Sequence, residues 1–94
     1  MGFEWDVDKA RANVRNHDGV RFEESAAVFD DPYAITIVDD EADPLEQRFA
    51  GIGIGALGRV PIVVYTYRGD NIRIISARRA KKHERDDYYR ENSR

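Results

Sequence analysis

The sequence predicts an α+β fold: a four- to five-stranded, largely antiparallel sheet packed with two N-terminal helices and one C-terminal helix, in the order β-α-α-β-β-β-β-α. Three observations predict it. Short β-branched or alternating runs follow one another between residues 34 and 77, joined by turns rather than by helical crossovers. Two stretches with helical spacing precede them, and one highly charged stretch follows. The 94 residues suit a single domain spanning 1–94, with no internal repeat, low-complexity tract or linker.

Each element has its own local signal. Phe3-Glu4-Trp5 sets aromatics two apart, as a short strand with one buried face does. Asp6 and Asp8 offer N-caps, and Asp8 to His17 reads as a helix ended by Asp18-Gly19. Phe22, Ala26 and Phe29 follow i, i+4, i+7 spacing, so residues 22–29 read as a second helix stopped by Asp30-Asp31-Pro32. Ala34 to Val38 is a β-branched strand, followed by an acidic loop over 39–46. From Gln47 to Gly55 the chain alternates, with Arg48, Ala50, Ile52 and Ile54 on one face and Phe49, Gly51, Gly53 and Gly55 on the other. Val60 to Arg68 and Asn71 to Ala77 form a hairpin about Gly69-Asp70, glycine first as a type II′ turn prefers. A charged helix is expected from Arg78 to about Arg90, with Ser76 as its cap.

Composition narrows the chemistry. The chain has no cysteine, which excludes disulfides, thiol nucleophiles and zinc fingers. His17 and His83 match no usual ligand spacing, and the acidic 39–46 loop reads as solvated rather than as a carboxylate metal site, so neither a metal nor a cofactor is expected. No apolar run approaches the roughly 20 residues that span a bilayer, and the start of the chain lacks a signal-peptide pattern. A cytoplasmic protein without a membrane partner is the expectation. The formal net charge is −3, but it is polarised: residues 1–47 carry 4 basic and 13 acidic side chains, and residues 48–94 carry 11 and 5. One cationic face is therefore compatible with a negative sum.

Several side chains carry chemistry. Gly51, Gly53 and Gly55 lack the Lys-Ser/Thr of a phosphate loop and read as bare positions that let a neighbour approach. Arg73, Arg78, Arg79, Lys81, Lys82 and Arg85 cluster along the chain, with Arg48 and Arg59 from the preceding hairpin and Tyr65 and Tyr67 on the adjacent strand. Guanidiniums beside aromatics suit RNA, whose phosphates take bidentate contacts and whose unstacked bases take ring faces. The plainer alternative is a solvated basic helix and ion pairs with the acidic half. Arg73, among isoleucines, is either a phosphate clamp or the partner of Glu4, Asp6 or Glu46. His17 titrates near neutrality but also suits a helix C-terminus, and it stands four residues from Asn13 and eight from Lys9.

Three blocks together resemble the BrnT family of toxins from type II toxin–antitoxin systems. The first is Phe3-Glu4-Trp5-Asp6 with Lys9, Asn13, His17, Gly19, Phe22-Glu23-Glu24, Ala26 and Phe29-Asp30-Asp31-Pro32. The second is Glu46 and Arg48 with Ile52-Gly53. The third is Arg73 to Ala80 with Glu84 and Tyr88. The resemblance implies a RelE-like fold and an endoribonuclease that arrests translation. It also implies a BrnA-like antitoxin, a heterotetramer of two toxins and two antitoxins, and operator DNA contacted through the antitoxin complex.

Within that resemblance, a metal-independent ribonuclease must move protons and stabilise a phosphorane with fixed positive charge. Arg73, Arg78 and Arg79 are the expected clamp, and Lys9 and His17 the expected proton-transfer or positioning groups. Arg48, Tyr65, Tyr67 and Lys82 are the expected RNA contacts, and a 2′,3′-cyclic phosphate is the expected first product. The rival is a non-catalytic module whose basic face docks a partner protein.

Overall fold

The computed structural model describes residues 2–39 and 45–92. Its elements are β1 (Gly2–Glu4), α1 (Val7–Asn16), α2 (Phe22–Ala26) with a 3₁₀ turn over Ala27–Asp30, β2 (Ile35–Asp39), β3 (Arg48–Ile52), β4 (Pro61–Arg68), β5 (Asn71–Arg79) and α3 (Lys82–Asn92). The strands form one sheet in the order β1-β5-β4-β3-β2. The β2–β3, β3–β4 and β4–β5 pairs are antiparallel, while β1 joins the β5 edge in parallel. Residues 40–44 of the acidic loop lie outside the described residues. Among those described, no helix is long and apolar enough to cross a membrane.

Helices α1 and α2 cover one face of the sheet. Asp6 caps α1, its side chain accepting the Lys9 backbone N–H at 3.0 Å. Buried Asn13 then fastens α1 to β5: its amide donates to the Ala77 and Val20 carbonyls at 2.7 and 2.9 Å, and its oxygen accepts the Ala77 N–H at 3.0 Å. The core beneath holds Val20, Phe22, Val28, Val63, Tyr65, Ile72, Ile74 and Ala77. Helix α3 crosses one end of the opposite face, where Tyr88 and Ala80 pack on Ile52 and Val60.

Three sequence expectations change. The second helix runs as α-helix only to Ala26 and tightens into the 3₁₀ turn, which carries Val28 under β3. Space there depends on bare glycine: a Cβ on Gly53 would meet Val28 at 3.1 Å and Asp31 at 3.0 Å. The alternating run stops at Ile52, because the Ile54 N–H turns to the Asp31 carboxylate at 2.9 Å. The largest change is at the C-terminal helix, which begins at Lys82 rather than Arg78. Pairing with Pro61 and Ile62 holds Arg79 and Arg78 in β5, and Ser76 lies opposite Val64 instead of capping a helix.

Strand β5 also carries a bulge. Val64 faces Ser76 but Tyr65 faces Ile74, so Ile75 is an extra residue. Beyond it the strand reverses which residues point to the helix-covered face. Ile72 and Ile74 point there before the bulge, and Ala77 and Arg79 after it. Arg73 and Arg78 therefore share the opposite, open face.

Candidate nucleic-acid interface

The register arranges the open face in rows. Asp39 on β2 faces Arg48 on β3. Phe49 opposite Tyr65 brings Arg48 beside Thr66, which faces Arg73 on β5. Arg73 in turn faces Glu4 on β1. Arg48 and Arg73 thus flank Thr66 on strands two apart, about 10 Å between backbones. The next row is small or aliphatic: Ile37, Ala50, Val64 and Ser76. The third, Ile35, Ile52, Ile62 and Arg78, lies against α3.

Each arginine of this face meets a carboxylate, in different ways. Arg73 Nη1 donates to Glu4 Oε2 at 2.9 Å. Arg48 Nε is buried and stands 3.5 Å from Glu46 Oε1, an ion pair without a hydrogen bond. Glu46 is shared with Arg68 at 3.1 Å. Arg78 is gripped at both ends, Nη1 and Nη2 donating to the two oxygens of Glu84 at 2.8 and 2.9 Å. Those bonds hold the Glu84 carboxyl down at about 2; the Lys81 N–H adds to the effect, while partial burial opposes it. Thr66, between Arg48 and Arg73 in the register, is buried, and its Oγ1 donates to the Gln47 carbonyl at 2.6 Å.

The sequence-predicted residues are spread over the molecule. Arg48, Arg73 and Arg78 share the open face. Lys9 lies at the start of α1, beside the β1 edge of that face; the Asp6 carboxyl is held below its usual range, first by the Lys9 backbone N–H and also by the Lys9 and Arg73 charges. His17 is the C-cap of α1 and Arg79 is exposed at the end of β5, both on the helix-covered side. Tyr65 is 5% exposed and packs edge-on against Phe29 in the core, where burial raises its phenol pKa. Tyr67 is exposed near the end of β4 on the helix-covered side, its ring against Phe49 and Tyr65. Lys82 is exposed on α3 and paired with Asp86 at 2.8 Å. Thr66 and Ser76 stand out through register alone, and no local pattern marks them.

The helix-covered side has a charge pair of its own, with another character. Arg59 grips Glu24 through Nε and Nη2, the latter at 2.7 Å, and the glutamate side chain is 3% exposed. The Arg59 hydrogen bonds keep Glu24 below the usual carboxylate range against its burial. A second clamp joins Tyr88 to Asp31 and ties α3 to the loop before β2. Burial would raise Asp31, but the bonds from Tyr88 and the Ile54 and Tyr33 N–H groups hold it low.

A small mixed sheet with two helices on one face and arginines on the other defines an α+β protein with a cationic sheet face. The family model described as "Ribonuclease toxin, BrnT, of type II toxin-antitoxin system" matches residues 5–84. The fold is similar to the crystal structure of the Brucella abortus ribonuclease toxin BrnT, with a TM-score of 0.67 and 24% identity over 87% of this chain and 99% of that one. No curated protein matches the chain. The chain belongs to the BrnT family of ribonuclease toxins of type II toxin–antitoxin systems.

Proposed function

We propose that the open face is the RNA-cleaving site of a metal-independent endoribonuclease. The observation that carries this reading is the pair Arg48 and Arg73 on the open face, one on either side of Thr66 in the strand register and each with a partly exposed side chain. Two guanidiniums held on strands two apart suit a phosphate entering between them, and they suit the phosphorane still better because its charge is larger. The 2′-oxygen attacks phosphorus and the 5′-oxygen leaves, giving a 2′,3′-cyclic phosphate and a 5′-hydroxyl. Lys9 at the β1 edge is the nearer of the two proposed proton-transfer groups. Arg78, two rows further along the open face, extends the clamp along the bound RNA, and Glu84 holds its plane.

His17 and Arg79, on the far side of the sheet, would serve the substrate away from the scissile bond. Tyr67 offers a ring to a base and Lys82 a charge to the backbone, with Tyr65 supporting Tyr67 from the core. An RNA substrate puts the site of action in the cytoplasm, and one ribonuclease domain suffices for it. The expected inhibitor is a BrnA-like antitoxin, two copies with two toxins, carrying the operator-DNA contacts of the complex.

The test is incubation of the purified toxin with RNA in the presence of a chelator. Fragments ending in 2′,3′-cyclic phosphate are expected, suppressed by the antitoxin. Intact RNA from a folded toxin would overturn the reading. It would favour instead a docking module, to which the carboxylate facing each open-face arginine lends support: there the basic face binds the antitoxin and cuts nothing.

A further inference from the structure

The proposed cleavage row occupies one end of the open face. At the other end, β2, β3, β4 and α3 enclose a groove of about 680 Å³ floored by Ile35, Ala50, Ile52 and Ile62. Ile37 is 61% exposed at its mouth, and Val38, beside it on edge strand β2, is 48% exposed. Aliphatic side chains left in water along a sheet edge are a liability unless something covers them.

The rim limits what that cover is. It bears Asp39, Glu84, Asp87 and Glu91 against Arg78 and Arg90. Both arginines are already engaged, by Glu84 and by Asp87 at 2.9 Å. Four carboxylates against two guanidiniums leave the rim net negative. Beyond Arg78, such a rim offers RNA no further attraction. A second copy related by a two-fold axis would set the same acidic rim against itself. A chain bearing Lys and Arg beside aliphatic side chains meets both the floor and the rim.

We infer that this groove docks a basic, amphipathic segment of the antitoxin, its aliphatic side chains entering between β2 and α3 and its cations meeting the rim. The inference rests on membership of a toxin–antitoxin family and not on the cleavage chemistry. It also supplies a means of neutralisation. Arg78 walls the groove and belongs to the proposed clamp, so a seated segment covers that end of the RNA site.

The experiment measures the affinity of the full-length toxin for the protein encoded by the adjacent reading frame, at low and high ionic strength. The double variant Ile37→Lys/Val38→Lys should weaken binding on the order of 100-fold. Glu91→Lys should weaken it about tenfold and flatten its salt dependence. Leu57→Lys, at a 71%-exposed site on the β3–β4 turn, should change nothing. Thermal melting of each variant establishes that it folds. Affinity of the folded double variant within about twofold of wild type would sink the inference. An equal loss in Leu57→Lys would do the same, as would self-association of the free toxin that the double variant abolishes, or RNA binding that it weakens. RNA cleavage by the free variants is read in parallel, because none alters the proposed cleavage row. A wild type that leaves RNA intact would refute the ribonuclease chemistry while the affinities still decide the docking.

Discussion

The two faces of the sheet use arginine in opposite ways. On the helix-covered face, Arg59 neutralises a glutamate that is almost wholly buried, and the pair also braces the Gly19 carbonyl at 3.3 Å. On the open face, Arg73 and Arg78 meet carboxylates that are themselves partly in water. The buried pair is structural, since removing one partner strands the other charge away from solvent. The open pairs cost little to break and leave guanidinium edges turned outward. Ion pairing alone therefore does not sort structural arginines from functional ones; the burial of the carboxylate does.

The sharpest way to break this contrast is to exchange the two outcomes. Arg73→Ala should lower RNA cleavage by about 10²–10³-fold, the usual effect of losing one charge-stabilising donor. Its stability should fall by less than about 1 kcal/mol, as for other partly exposed pairs. A variant that cleaves like wild type would remove Arg73 from the clamp. Arg59→Ala should do the reverse, costing about 3 kcal/mol in urea unfolding because Glu24 loses its partner, while the folded fraction keeps its activity. Normal stability in Arg59→Ala would erase the distinction between the faces.

Smaller effects sharpen it. In the folded protein the Glu84 carboxyl titrates at about 2, below its ordinary value of 4.5, chiefly through the Arg78 hydrogen bonds. A depressed carboxylate contributes stability that is complete above its unfolded pKa and is lost as pH falls through the folded one. The stability gap between wild type and Glu84→Gln should therefore be about 1–2 kcal/mol near neutrality, allowing for the exposure of Arg78, and should close between about pH 5 and pH 2. A gap independent of pH over that window would disprove the pairing. Least of all, Lys82→Ala removes an exposed i, i+4 pair and should shift stability by no more than about 0.5 kcal/mol.

Much of this fold is legible from local pattern. Asp6 as a cap, the Gly69-Asp70 hairpin and the order of strands all follow from residue type and spacing, because turns and caps are decided within a few residues. The segment from Ser76 to Arg79 is not legible that way. Its charge and the following Lys81-Lys82 favour a helix locally, yet two rungs of pairing with Pro61 and Ile62 hold it extended. The candidate site suffers most from that error. As a helical pair Arg78 and Arg79 would stand about 100° apart, but as strand neighbours they point to opposite sides of the sheet. Lys9 and Arg73, 64 apart in sequence, both act on the Asp6 charge because β1 pairs in parallel with β5, a pairing with no local signature. The families of residue type were readable, whereas their grouping belonged to the register.

The extra residue in β5 can be seen as a change of phase. A strict two-residue rhythm sends odd and even positions to opposite sides along the whole strand. Arg73 and Arg78 have opposite parity, so no regular strand could show both to one partner. Ile75 shifts the beat by one, and two half-strands with contrary rhythms become a single surface. The distance along the chain between the two arginines is thus part of the design of that surface, as much as their charge.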